Sequence, residues 1–213
     1  MIELFTHGSP NGHKVAIALE ELALPYQVTQ VNVFAGEGQR PEFSRINPTG
    51  KVPVIRDLDN GALVTESDAI LIYLADKAQK LVPAHGLARV RALELLFLQA
   101  SLQGPMFGQR MHFSFFGPEL VPYAIRRYEE QGQIIDALVD KLLDDKPYLL
   151  GDEYSIVDIA FFGWYHAAVH AGFSFAQHAQ LTGWFERVAA RPAVQRGLNV
   201  PSGLPQLPPR KRL

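Results

Sequence analysis

Cysteine is absent from all 213 residues of the chain. That excludes disulfide cross-links, thiolate metal sites and any mechanism in which the protein supplies its own sulfur nucleophile. Thiol chemistry here must use a thiol that arrives with a ligand. An excess of one charge is also lacking: 20 Lys and Arg stand against 22 Asp and Glu, a formal net charge of −2. The broad basic field of a phosphate-backbone binder is therefore missing, and nucleic acid is not an expected partner. No run approaches the roughly 18 uninterrupted apolar residues of a membrane helix. Glu3 and His7 interrupt the amino terminus before the apolar core of a signal peptide can form. A cytoplasmic protein with no membrane partner is expected.

What is present is the material of an ordinary globular protein: 47% apolar residues with 20% charged, enough to bury a core and too apolar for disorder. The length suits one large domain or two small ones. Ile2-Glu3-Leu4-Phe5 alternates as a strand, Gly8 to Gly12 breaks it, and an Ala/Leu/Glu-rich helix is expected from near His13. Tyr26 to Val33 favours a second strand, and Pro41-Glu42-Phe43 a helical turn. Val52 to Ile55 and Ala62 to Thr65, joined by Asp59-Asn60-Gly61, read as an antiparallel hairpin. Glu66-Ser67-Asp68 offers an N-cap to a buried helix that continues to about Lys77.

Beyond the 79–86 connection, strand signals cease and apolar residues recur at helical spacing, which marks a domain boundary. Leu93, Leu96, Phe97 and Ala100 mark one helix face, and Gly104-Pro105 predicts a kink, because proline removes a donor and crowds the preceding turn. A long helix is predicted over 122–145, with Ile125, Tyr128, Ile135, Leu138 and Leu142 inward. Ser155-Ile156-Val157-Asp158 has the form of a capping box opening an apolar helix to His170, and a further helix spans 181–191. The expected division is 1–78, 87–198 and a Pro-rich basic tail, 199–213, loosely held.

Several segments carry chemistry, each beside a plainer reading. Ser9 and Asn11, in the loop after the first strand, can donate hydrogen bonds to an anion, but Ser, Pro, Asn and Gly also suit any turn. A cis Val52-Pro53 bond would expose backbone for a guest peptide; a trans turn explains the same letters. Glu66 and Ser67 at a helix start can hold an ammonium and a carboxylate, or simply cap the helix. His166 and His170 at i, i+4 lack an evident third ligand, so no metal is expected.

In combination, Ser9-Pro10-Asn11-Gly12-His13-Lys14, Arg40-Pro41-Glu42-Phe43, Ile46 to Pro53, Glu66 to Leu74 and Ser155 to Ala160 resemble the cytosolic glutathione transferases over almost the whole chain. The Pro-Asn-Gly-His-Lys opening, with Gly104-Pro105-Met106 and Pro122-Tyr123-Ala124-Ile125, is similar to the bacterial Nu-class, whose members are glutathione-dependent disulfide-bond oxidoreductases. The resemblance implies a thioredoxin-like (α/β) amino-terminal domain, an all-helical carboxy-terminal domain and a homodimer. It implies glutathione, reduced or oxidised, as cosubstrate, with small-molecule thiols and disulfides as partners. It assigns catalysis to Ser9 and Asn11, and glutathione binding to Asn11, Gln39, Lys51, Val52, Pro53, Glu66, Ser67 and Arg127, the last beside Arg126. Gln109, His112 and Phe113 would wall a second ligand. Three activities fit: disulfide reduction by glutathione, conjugation or peroxide reduction by the same thiolate, and non-catalytic binding of glutathione by a regulatory module.

Overall fold

The computed structural model describes residues 1–211. It comprises two compact units, one of Met1–Ala84 with Ala189–Leu204, the other of His85–Val188 with the chain from Pro205 onward. The first is built on a four-stranded sheet in the order β2-β1-β3-β4, from β1 (Ile2–Thr6), β2 (Tyr26–Gln30), β3 (Val54–Asp57) and β4 (Leu63–Val64). β1 and β2 run parallel, which requires a crossover, and α1 (Pro10–Glu21) supplies it. β3 returns antiparallel to β1, with Phe5 opposite Val54, and β4 pairs antiparallel with β3, as the hairpin signal predicts. A short α2 (Pro41–Ser44) precedes β3, and α3 (Ser67–Ala78) follows β4.

Ile2 and Leu4 of β1, Ile55 of β3, Val15, Ile17 and Leu19 of α1 and Ile70, Leu71 and Leu74 of α3 are almost wholly excluded from solvent. They form the apolar layer between sheet and helices. A smaller cluster of Phe5, Val31, Phe43 and Val54, with Val33, Ile46 and Val52 against it, fills the end of the sheet from which the β1–α1 loop emerges.

α1 begins at Pro10, three residues before the expected start. Proline at the first helical position costs nothing, since its missing N–H would have had no intrahelical partner. Its N-cap is Ser9, whose side-chain oxygen accepts from the Gly12 amide at 3.1 Å.

In the second unit, α4 (Gly86–Leu98) passes through a π-helical turn, 99–103, into α5 (Gly104–Met111), and another π-helical turn, 112–116, follows. The kink expected at Pro105 takes this form: a widened turn accommodates the ring where a regular one would meet it. The buried face of α4 is Ala92, Leu95 and Leu96; Phe97, expected inward, is 69% exposed. α6 (Pro122–Leu142) buries Ile125, Ile135 and Val139, so Leu138, assigned to the core by spacing, lies beside the inward face. α7 (Ile156–His170) is buried along most of its length. Its capping box forms as predicted, and the Asp158 carboxylate accepts from Ser155 N and Oγ, both at 2.9 Å, Leu149 N at 3.0 Å and Trp184 Nε1 at 2.8 Å. α8 (Ala179–Ala189) contributes that Trp184.

Two expectations about the carboxy terminus are corrected. The segment 189–198 belongs with the sheet unit, because α9 (Pro192–Gly197) packs on α1, with Arg191 bidentate to Glu21 at 2.6 and 2.9 Å and Arg196 bonded to Glu20 at 2.6 Å. The tail from 199 to 211 is held by specific bonds instead of lying loose. Within the first unit Ser202 O pairs with His13 Nε2 at 3.1 Å. Within the second, Pro205 O meets His170 Nε2 at 3.0 Å, the Lys211 amide donates to Ser114 O at 2.8 Å, and Lys211 Nζ donates to the carbonyls of Gly117 and Glu119. Composition marked the tail as having little to bury; main-chain carbonyls and cations hold it instead. The remainder of the tail, 212–213, lies outside the described residues.

Candidate functional site

The register of the sheet gathers three segments at one end. Since Phe5 pairs with Val54 and Ile55 with Val64, the loop after β1, the turn before β3 and the start of α3 leave the same edge. Continuing the β3–β4 register places Pro53 opposite Glu66 and Val52 opposite Ser67, but β4 ends at Val64, so Val52 lies beyond the ladder.

The loop after β1 presents Ser9 and Asn11, both partly exposed, on the first turn of α1. A hydroxyl has one hydrogen to give and two lone pairs to accept with. The Gly12 amide occupies one lone pair, so the cap bond orients Ser9 without consuming its hydrogen. Asn11 sits within the same turn, where the helix dipole favours negative charge. Gly12 is required here, because a Cβ would run into the His7 carbonyl and Thr6 Oγ1. Behind the turn His13 is fully buried, and desolvation, partly offset by the Ser202 bond, lowers its pKa.

The turn before β3 is organised by Asn47, which sequence reasoning passed over. Its Nδ2 donates to Lys51 O at 2.7 Å, and its Oδ1 accepts from Thr49 N at 3.1 Å and Thr49 Oγ1 at 3.0 Å. Asn47 is buried, and Asn-Pro-Thr-Gly is a segment whose Asx geometry was legible. The Val52–Pro53 bond is cis. Gly50 has φ of +68°, and a side chain there would collide with Gln39 Nε2. Gln39 is thereby placed beside Gly50.

At the start of α3 the structure departs from the capping expectation. Ser67 is the first helical residue, the N-cap position is Glu66 at φ 63°, ψ 117°, and no side chain caps the helix. The amides of the first turn thus remain for a guest acceptor. The Ser67 hydroxyl accepts from Lys14 Nζ at 3.3 Å and lies 3.4 Å from Asp68 Oδ1. Lys14 also pairs with Asp68 at 3.0 Å. Sequence reasoning missed Lys14 and Asp68: a lysine at a core position of α1 was the available signal.

The remaining predicted residues lie in the second unit. Gln109 and His112 are exposed; His112 stands edge-on to Phe113 at 5.1 Å, and Phe113 stacks on Tyr128 at 5.5 Å. Arg126 and Arg127 are both exposed on α6. Among the described residues, no group of three or more His, Cys, Asp or Glu could hold a metal ion.

An uncapped helix start, a cis-proline turn and a hydroxyl on a neighbouring helix cap lie at one end of the sheet. The description "Glutathione S-transferase, N-terminal domain" matches residues 8–77, and "Glutathione S-transferase, C-terminal domain" matches residues 118–192. The chain belongs to the glutathione S-transferase family. It is an enzyme of that family, which uses glutathione. It is 38% identical over 203 residues to the disulfide-bond oxidoreductase YfcG of Escherichia coli, covering 93% of this chain and 94% of that protein. A glutathione transferase from Burkholderia graminis, solved with two glutathione molecules bound per subunit, superposes with a TM-score of 0.90 at 34% identity, covering 94% of this chain and 88% of that one. Another from Pseudomonas putida, with one glutathione disulfide bound per subunit, gives 0.86 at 32% identity, covering 94% and 92%.

Proposed function

We propose that this transferase reduces disulfide bonds with glutathione. The observation that carries the reading is a chain without cysteine that is 38% identical, almost end to end, to a disulfide-bond oxidoreductase. Lacking a thiol of its own, the protein must bring sulfur in twice. Glutathione lies along the edge at Val52–Pro53, its cysteinyl backbone bonded to Val52 and its γ-glutamyl end at Glu66, Ser67 and the free amides of α3. Its sulfur meets Ser9 and Asn11 at the start of α1. A thiol pKa near 8.5 falls when donors and a helix amino terminus stabilise the anion.

The thiolate attacks one sulfur of the substrate disulfide, forming a mixed disulfide and expelling the other sulfur as a thiolate, which takes up a proton. A second glutathione thiolate attacks the glutathionyl sulfur, forming glutathione disulfide and releasing the second substrate thiol. Each cycle consumes one disulfide and two glutathiones. Relatives solved with two glutathiones, or with glutathione disulfide, support a site of that capacity. Gln109, His112 and Phe113 are assigned to the second ligand, and Arg127 to a glutathione carboxylate; Gln39 and Lys51 complete the first site. The enzyme works in the cytoplasm, and it works as a homodimer, which Leu87, Val90 and Phe97 exposed on α4 favour.

The test is reduction of a small dialkyl disulfide by glutathione, followed through glutathione disulfide formation. Intact glutathione binding without that turnover rejects the reading. Rapid conjugation of an aryl halide with negligible disulfide reduction would favour conventional transfer, the activity suggested by relatives such as glutathione S-transferase 1 of Schizosaccharomyces pombe, 35% identical over 206 residues.

A further inference from the structure

A wholly buried lysine is expensive, because an ammonium loses its hydration and must recover it from partners. Lys14 is such a residue: its side chain is 1% exposed, on the face of α1 toward α3. It is not a remnant of surface chemistry folded inward, since its Nζ lies 3.0 Å from Asp68 Oδ1 and 3.3 Å from Ser67 Oγ. Glu66 also contributes to its electrostatic surroundings. The two acceptors and Glu66 belong to one turn, at the uncapped start of α3, where Glu66 holds a positive φ.

Two consequences follow from that placement. The first is charge. A turn carrying Glu66 and Asp68 would repel an incoming carboxylate, and the ammonium beneath it offsets one of the two negative charges. What remains suits a zwitterion, with Glu66 toward the ligand ammonium and Ser67 with the α3 amides toward its carboxylate. The second is orientation. Lys14 has only donors, so Ser67 Oγ must accept from it, and the hydroxyl hydrogen is left to be given elsewhere. That hydrogen faces the long 3.4 Å contact to Asp68 Oδ1, which a ligand carboxylate would replace.

We propose that Lys14 is a positioning residue for the α-amino-acid end of the thiol peptide: from inside the unit it sets Ser67 as a donor and balances the charge of the Glu66–Asp68 turn. Lys14 touches no substrate; it acts through the two residues it holds. The inference rests on glutathione binding at this edge, as argued above.

The experiment pairs a protein change with a ligand truncation. Glutathione and cysteinylglycine, which lacks the γ-glutamyl group, are titrated calorimetrically into the wild-type chain, into Lys14→Met and into Lys14→Met/Asp68→Asn. The double variant removes both charges of the pair and keeps the net charge, so it avoids stranding an unpaired carboxylate. Loss of one charge-assisted contact predicts glutathione affinity lower by about tenfold to a hundredfold in the variants, with cysteinylglycine affinity unchanged. Equal losses for both ligands would show a general structural role and overturn the proposal, as would no loss for either. If neither variant folds, the ammonium nitrogen resonance of Lys14 in the wild-type chain decides: it should move on adding glutathione and stay put with cysteinylglycine, and any other pattern overturns the assignment. A wild-type chain that binds neither peptide would instead defeat the functional reading itself.

Discussion

Ser9 has two jobs that three substitutions can separate. As N-cap of α1 its oxygen accepts from Gly12 N at 3.1 Å, and as the proposed sulfur partner its hydrogen is given to the glutathione thiolate. Replacing an N-cap serine by alanine costs about 1 kcal/mol, while glycine costs only a few tenths. Both changes delete the same hydroxyl. Loss of one hydrogen bond to a charged group, about 1.5–3 kcal/mol, should lower turnover about tenfold to a hundredfold in both variants. It should also raise the pKa of the bound thiol by about 1–2 units, each unit corresponding to 1.36 kcal/mol. Ser9→Thr keeps the cap and the donor, and should retain most activity. The assays are denaturant unfolding, disulfide reduction, and the ultraviolet absorbance of bound thiolate against pH. Stability should rank Ser and Gly above Ala, whereas turnover should rank Ser and Thr above Gly and Ala. If the glycine variant turns over like wild type, or if thiolate titration is unmoved in both deletions, Ser9 is a helix cap and nothing more.

Two further predictions concern the helical unit. Asp158→Ala should destabilise that unit by about 4 kcal/mol or more, because it strands four buried donors on Ser155, Leu149 and Trp184, each worth about 1–3 kcal/mol before relaxation; chemical denaturation showing under 1 kcal/mol would refute it. Asp136 is buried beside Tyr165, and desolvation, only partly offset by Arg110, pushes its carboxyl up to about 6. Its native pKa lies above the unfolded value, so it binds more protons folded than unfolded between about pH 4 and 6, and stability is lost as pH rises through that window. Asp136→Asn should therefore gain stability at pH 8 relative to wild type, on the order of 1–3 kcal/mol, with the gain shrinking toward pH 4; melting curves whose difference is independent of pH would contradict the assignment.

The strand–loop–helix opening, the hairpin at Asp59-Asn60-Gly61 and the Ser155–Asp158 capping box were legible because each depends on neighbours in sequence: alternation, turn residues, or two side chains three positions apart. The faces of the long helices were less so. Phe97 looked like core and is exposed, and Leu138 yielded its place to Val139, since spacing states that a helix has an apolar side but not which packed surface will meet it. Ser67 shows the same limit at the candidate site. Its letters read as a cap, but the helix begins at Ser67 itself with Glu66 in the N-cap position, and the Ser67 oxygen accepts instead from Lys14, 53 residues earlier.

From the amino acids alone came the absence of any protein thiol, the division into an α/β and a helical part, and the segments proposed to hold a peptide thiol. Only tertiary structure decided which atoms those segments offer. Sheet register carried residues 9, 52 and 66 to one edge, burial turned Lys14 into a counter-charge, and long-range carbonyl bonds fastened a tail that its own composition left loose. The physical reason is that local sequence sets backbone preference, whereas the partner of a buried charge or an unpaired amide is chosen by whatever the fold brings within 3 Å or so of it.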